Sequence, residues 1–245
     1  MPTRLVHVTI DAADPPRLGR FWAAALGWDV ASSEPGETVV DPPGFSYPSP
    51  SALPLVFIPV PEPKTAKNRV HLDLATGSVA QQAAELDRLL ALGATRTGIG
   101  QGDVPWHVLA DPEGNEFCLL HPQPVYAQTG LMCGVVIDCA DPARMADFWE
   151  LASGWTRRVD SPEEISLRSP QGVGPCLTLV QVPEAKTVKN RMHVEVSPQP
   201  GEDHAAAVEA LIAAGASQAD VGQGEVPWTV LADPEGNEFC VLSPR

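Results

Sequence analysis

Gly100 to Leu120 reads GQGDVPWHVLADPEGNEFCLL, and Gly222 to Leu242 reads GQGEVPWTVLADPEGNEFCVL. The copies lie 222 − 100 = 122 residues apart and differ only at Asp103/Glu225, His107/Thr229 and Leu119/Val241. An internal repeat of this kind means that one architecture is carried twice. Within each copy two short apolar runs flank Asp-Pro-Glu-Gly-Asn, which predicts a hairpin. Asp111 accepts from the turn backbone, Pro112 fixes φ at the first corner, and Gly114 takes the positive φ that closes the turn. That role accounts for Asp111, and a loop tip leaves Glu113 solvated, so these carboxylates are not read as an acid-base cluster. On the last strand Glu116, Cys118 and Leu120 share one face, while Phe117 and Leu119 share the other, apolar one.

Working outward, the periodicity gives the same order of elements in both copies. Leu5–Ile10 is a β-branched strand, and Asp14 caps a helix that begins at Pro15, carries Leu18, Phe21, Trp22 and Leu26 on one stripe, and stops at Gly27. Asp141, Pro142, Phe148, Trp149 and Gly154 repeat the pattern at an offset of 149 − 22 = 127 residues. The difference of five falls in the Pro- and Ser-rich loop from Asp41 to Pro54. Strands are expected near 38–40, 55–60, 165–168 and 177–182. The segments PEPKTAKNRVHLDL and PEAKTVKNRMHVEV then end in alternating strands that set His71 and Asp73 on one face and Val70, Leu72 and Leu74 on the other. Helices over 78–92 and 202–214 precede the hairpins, and the repeat-related tryptophans are read as core. Each copy is β-α-β-β-β twice, an α+β fold with a curled mixed sheet, helices outside and a polar concave interior.

Composition bounds the function. The chain has 245 residues, divided by the repeat into units of 1–122 and 131–245 with a linker at 123–130. A net charge of −15 argues against a nucleic acid or an anionic membrane surface as partner and favours a small molecule. Five cysteines, Cys118, Cys133, Cys139, Cys176 and Cys240, show neither a disulfide framework nor zinc-knuckle spacing, and no apolar run has signal or membrane-spanning length. A reducing, cytoplasmic setting is the expectation.

The half-units, the Asp-Pro capped helix with its FWAAALGW run, and the DPEGNEF hairpin together resemble the vicinal oxygen chelate superfamily, in its glyoxalase-like, bleomycin-resistance-like branch. The resemblance covers nearly the whole chain as two tandem glyoxalase-like domains. It implies a metal site inside the cup, with ligands from the first strand of each half-unit and from the strand after the hairpin turn. Carried over, the first domain offers His7, His71 and Cys118. Cys118 stands where the family has Glu, and two imidazoles with a thiolate suit Zn²⁺ better than Mn²⁺ or Mg²⁺. The second domain offers only His193 and Cys240, because Gly134 aligns with His7. His107 is a further titratable candidate, and Asp73 is placed to orient His71.

The dense basic segment Lys64, Lys67, Asn68, Arg69, echoed by Lys186, Lys189, Asn190 and Arg191, reads either as an anion clamp, with Glu116 nearby, or as a structural turn whose Arg bonds backbone carbonyls. Phe45 and Tyr47 have no counterpart in the second copy and are candidates to lid a cavity. Three functions stay open: a small-molecule binding or sequestering protein without metal, a divalent-metal lyase, isomerase or hydrolase using the N-terminal cup, and a non-catalytic scaffold. A monomer whose tandem domains mimic a dimer and a homodimer both remain open.

Overall fold

The computed structural model describes residues 2–47 and 49–245. The chain order is β1 (Arg4–Ala12), α1 (Pro15–Leu26), β2 (Asp29–Glu34), β3 (Glu37–Asp41), β4 (Leu55–Pro59), β5 (Val70–Leu74), α2 (Val79–Leu92), β6 (Thr95–Arg96), β7 (His107–Ala110) and β8 (Glu116–Leu119). A 3-10 turn at Pro124–Tyr126 follows. The second copy runs β9 (Met132–Cys139), α3 (Pro142–Ser153), β10 (Thr156–Asp160), β11 (Glu164–Arg168), β12 (Cys176–Gln181), β13 (Met192–Ser197), α4 (His204–Ala213), β14 (Ser217–Gln218), β15 (Thr229–Ala232) and β16 (Glu238–Val241). Among the described residues no helix is long and apolar enough to cross a membrane.

The α+β class and the four half-units are as the pattern predicts. Asp14 and Asp141 cap their helices by accepting from Arg17 N and Arg144 N, and Gly27 and Gly154 end them in the left-handed conformation. The strands β2 and β10 were not marked by periodicity: both are largely exposed and polar, and are held by pairing with β3 and β11.

The half-units combine across the two copies. One eight-stranded mixed sheet has the order β14-β15-β16-β13-β1-β4-β3-β2, and the other β10-β11-β12-β9-β5-β8-β7-β6. In the first, sheet A, the opening quarter of the chain joins the closing quarter through antiparallel β1 and β13. In the second, sheet B, the two middle quarters join through β5 and β9. The repeat units therefore do not each close a sheet of their own.

Alternation assigns the faces. On β1, Val8, Ile10 and Ala12 are fully buried in the core, as are Leu72 and Leu74 on β5. That core is continuous through both sheets and is anchored by two equivalent aromatic clusters. Trp22 packs edge-on to Phe21 and Phe117 with ring centroids 5.4 and 5.1 Å apart, and Trp149 packs likewise against Phe148 and Phe239 at 5.3 Å each. Each cluster ties the α-helix of one quarter to the last strand of another.

The hairpin behaves as its turn chemistry dictates, with Asp111 accepting from Glu113 N and Asn115 N at 2.9 Å each. Glu113 is not solvated. Its carboxylate accepts from Ala13 N and Asp14 N, at 2.7 and 2.9 Å, so the hairpin tip of the second quarter caps the start of α1. Glu235 does the same for Ala140 N and Asp141 N.

Candidate ligand cup

The opposite face of each sheet carries the polar residues. On sheet B, Asp73 stands beside Cys118 of β8 and opposite Gly134 of β9. His71, Asp73 and Cys118 converge there, with one donor atom of each within 4.8 Å of the others. His71 Nε2 lies 3.6 Å from Asp73 Oδ1, just beyond hydrogen-bond range, and Asp73 Oδ1 is buried with no hydrogen-bond partner. These groups line a cavity of about 380 Å³ whose walls include Trp106, Leu120, Val136, Val159, Cys176 and Val180. Gln123, Val125 and Tyr126, from the segment joining the copies, form part of the rim, a role that its Pro- and Gln-rich composition did not announce.

The electrostatics follow from burial. Desolvation lowers His71 to about 4, so its imidazole is neutral, against the pull of Asp138. It also raises Asp73 to about 7, with Glu164 and Asp138 adding to the rise. Burial and the Asp73 carboxylate push the Cys118 thiol far above its ordinary value. Lys67 is the one lysine or arginine on this lining among the described residues, and it pairs with Asp138. The cup thus holds a carboxyl group that no cation of the protein serves.

Sheet A answers the same positions differently. Glu195 lies opposite His7 and beside Cys240, and its carboxylate bonds His7 Nε2 while His193 Nε2 lies 3.6 Å from its other oxygen. His193 Nε2 also meets Cys240 Sγ at 3.5 Å. Although burial opposes it, the Cys240 and Glu195 contacts raise His193 to about 10. Against burial again, the contacts with His193 and His7 hold Glu195 well below its usual range. Val6, Val230, Cys240 and Leu242 pack as a small apolar cluster beneath them.

The triad His7, His71 and Cys118 is therefore not one site, because β1 belongs to sheet A whereas β5 and β8 belong to sheet B. Asp73, read as a supporting residue, occupies the place given to His7. The second copy is not the poorer one: His193 and Cys240 are completed by Glu195 and by His7 from the first. His107 pairs with Leu119, one register step from Cys118, and so faces away from the cup; its pKa is lowered by burial and by Arg96. The sequence did carry the signal for Asp73, since it alternates with His71, but not for the pairing across copies.

The basic segments take their structural role. Arg69 donates to Glu184 O and Asp138 O, and Arg191 to Glu62 O and Asp11 O, so each arginine clasps the other copy. Asn68 bonds Asn115 Oδ1, and Glu116 accepts from Lys64 Nζ and Asn68 N. A larger hollow, about 520 Å³, lies between these loops, but the ends of both arginines and both its lysines are engaged. Tyr47 stacks on Arg4, with the guanidinium 5.1 Å from the ring centroid, and neither it nor Phe45 lines the sheet B cup. Of the tryptophans, Trp22 and Trp149 are core, whereas Trp106 lines the cup and Trp228 is 37 % exposed.

Comparison with known proteins agrees with this architecture. The model of the glyoxalase-like domain matches residues 7–120 and again 134–242. Glyoxalase I from Zea mays superposes with a TM-score of 0.65 at 15 % identity, over 98 % of this chain and 92 % of that one. A putative dioxygenase from Bacillus subtilis superposes with a TM-score of 0.62 at 15 % identity, over 98 % and 84 %. At such identities the likeness is one of fold. Curated proteins give no significant match to the sequence. With both copies matched by one family model and the four half-units assembled into two mixed sheets, the chain belongs to the glyoxalase-like family, as a tandem member of the vicinal oxygen chelate superfamily.

Proposed function

We propose that the protein binds a small organic molecule in the cup of sheet B. The observation that carries this is the cavity of about 380 Å³ with the unpartnered Asp73 Oδ1 on its wall. A pocket of that size, largely apolar with a few convergent polar groups, is what small-molecule sites look like. A buried carboxylate oxygen left without a donor is costly unless something binds it. In sheet A the equivalent carboxylate is bonded within the protein, so the two cups are not equal and sheet B is the working one.

The test is a thermal-shift screen of small metabolites and drugs on wild type, Gly134→Leu and His7→Gly. Gly134 lies opposite Asp73, and a Cβ there meets only ordinary contacts of 3.5 Å or more, so leucine fills the cup without breaking the sheet. Hits should vanish in Gly134→Leu and persist in His7→Gly. Hits indifferent to Gly134→Leu would refute the assignment.

The convergence of His71, Asp73 and Cys118, matched in sheet A by His193, Glu195 and Cys240 but there with the carboxylate already bonded to His7, favours a second reading, a divalent metal in the sheet B cup. The donors fit: the imidazole is neutral and the Asp73 oxygen is free. A His, a carboxylate and a thiolate suit Zn²⁺, though the thiol proton must leave on binding. A bound zinc ion would supply Lewis-acid activation; the chain itself would orient the ligand against the apolar wall. Elemental analysis of protein purified without a histidine tag should give about one zinc per chain, lost in Cys118→Ala and kept in Cys240→Ala and His7→Gly. Zinc absent from wild type would remove this reading and leave the metal-free cup.

A further inference from the structure

We infer that the ligand of the sheet B cup is a protonated amine bearing a compact apolar body. This deepens the binding function proposed above and rests on it. The lining carries three acids, Asp73, Asp138 and Glu164, against one lysine, and Lys67 is already held by Asp138. A carboxylate or phosphate ligand would meet Asp73 and Glu164 with no free cation to receive it. A neutral, aprotic ligand would leave Asp73 Oδ1 as it is, buried and unbonded. A protonated amine gives that oxygen an N–H donor and gives the buried carboxylate its counter-charge.

The walls point the same way. Trp106 and Tyr126, both only partly buried, are aromatic residues on the lining, and aromatic faces attract desolvated cations. The rest of the wall, including Leu120, Val136 and Val180, takes an apolar body, and about 380 Å³ limits that body to a compact one. The open carboxylate oxygen does not recur in sheet A, where Glu195 already bonds His7.

Three probes of one shape separate the outcomes: phenethylamine, 2-phenylethanol and 3-phenylpropionate, titrated into the full-length protein at pH 8 by ligand-observed NMR. Phenethylamine should bind at least about tenfold tighter than the other two, the difference expected for one charge-assisted hydrogen bond. Asp73→Asn, which keeps the shape, should erase that preference, and Gly134→Leu should abolish binding of all three. If the alcohol or the carboxylate binds as well as the amine and Gly134→Leu removes it, the amine assignment is overturned while the cup remains a binding site. Carboxylate binding without amine binding would be the mark of a metal-filled cup and overturns it equally. If no probe binds, or if binding survives Gly134→Leu, the cup itself is refuted.

Discussion

Gly134 stands opposite Asp73 across the β5–β9 pairing, at the register position where the other sheet sets His7 opposite Glu195. One missing side chain thus separates a cup with an internal ion pair from a cup with an open carboxyl group. Gly134→His should restore the pair. Its Cβ has room, with Asp73 Cβ 3.8 Å away, and an imidazolium there would neutralise Asp73. Urea unfolding at pH 7 should show a gain of about 1 kcal/mol, the scale of a single hydrogen-bonded partner, together with loss of ligand binding. A loss of stability would show that the two sheets are not interchangeable at this position.

The pH dependence of stability follows from two opposed groups in sheet B. Asp73 is raised to about 7, so the folded state binds more protons than the unfolded one between the ordinary aspartate value and 7; stability falls as pH rises through that window. His71 is lowered to about 4, so the unfolded state binds more protons between 6.5 and 4; stability falls as pH drops through that window. The titratable groups sharing this lining are Lys67, Cys118, His121, Tyr126, Cys133, Asp138, Glu164 and Cys176. Asp73→Asn should remove the first effect and expose the second. The variant should be more stable than wild type at pH 8, by roughly 1–3 kcal/mol, and its advantage should shrink towards pH 4. A constant difference across this range in urea titrations would contradict the assignment of Asp73 as a buried, unserved carboxyl group.

The reciprocal clasp of Arg69 and Arg191 holds the two copies together through backbone carbonyls. Replacing Arg191 by alanine removes its bonds to Glu62 O and Asp11 O. Each is a hydrogen bond from a charged donor, and partial exposure discounts them, so a cost of about 2 kcal/mol is expected. Denaturant unfolding checks it; ligand binding by the cup should be unchanged at temperatures where the variant is folded. Weakened anion binding with unchanged stability would instead favour a clamp.

Expressed alone, residues 1–122 contain two half-sheets whose central strands, β1 and β5, have lost their partners β13 and β9. Unpaired edges of this kind recruit a second chain. The fragment should sediment as a homodimer in which β1 of one copy pairs with β5 of the other. That dimer would bring His7 of one copy to His71 and Cys118 of its mate, the very triad expected from the sequence, with Asp73 beside them. A monomeric, folded fragment in the ultracentrifuge would contradict this dimer and show that β1 and β5 can pair within one copy.

The local elements were legible because local chemistry decides them. Asp14 and Pro15 start α1 and Gly27 ends it, and the strict alternation from Val70 to Leu74 places His71 and Asp73 on the polar face. What was not legible is which strand β1 joins. β5 and β13 are near-copies, VHLDL and MHVEV, and each offers β1 an equally suitable apolar face. The contacts that accompany the pairing are duplicated as well, Arg191 and Lys189 meeting Asp11 as Arg69 and Lys67 meet Asp138, so no local pattern encodes the choice. The same gap misplaced His7 and hid the pairing of Gly134 with Asp73. It also hid the role of Tyr126, which reaches the cup only because β9 returns beside β5.

Cysteine cross-linking tests the cross-copy pairing most directly. In a variant carrying both His7→Cys and Glu195→Cys, with the native Cys118 left in place, the two new thiols face one another across adjacent antiparallel strands. Mild oxidation followed by peptide mapping should yield a disulfide joining the two substituted positions. A disulfide from the thiol introduced on β1 to Cys118 would instead put β1 in the same cup as β8, and would contradict both the assembly of the sheets and the location of the ligand site.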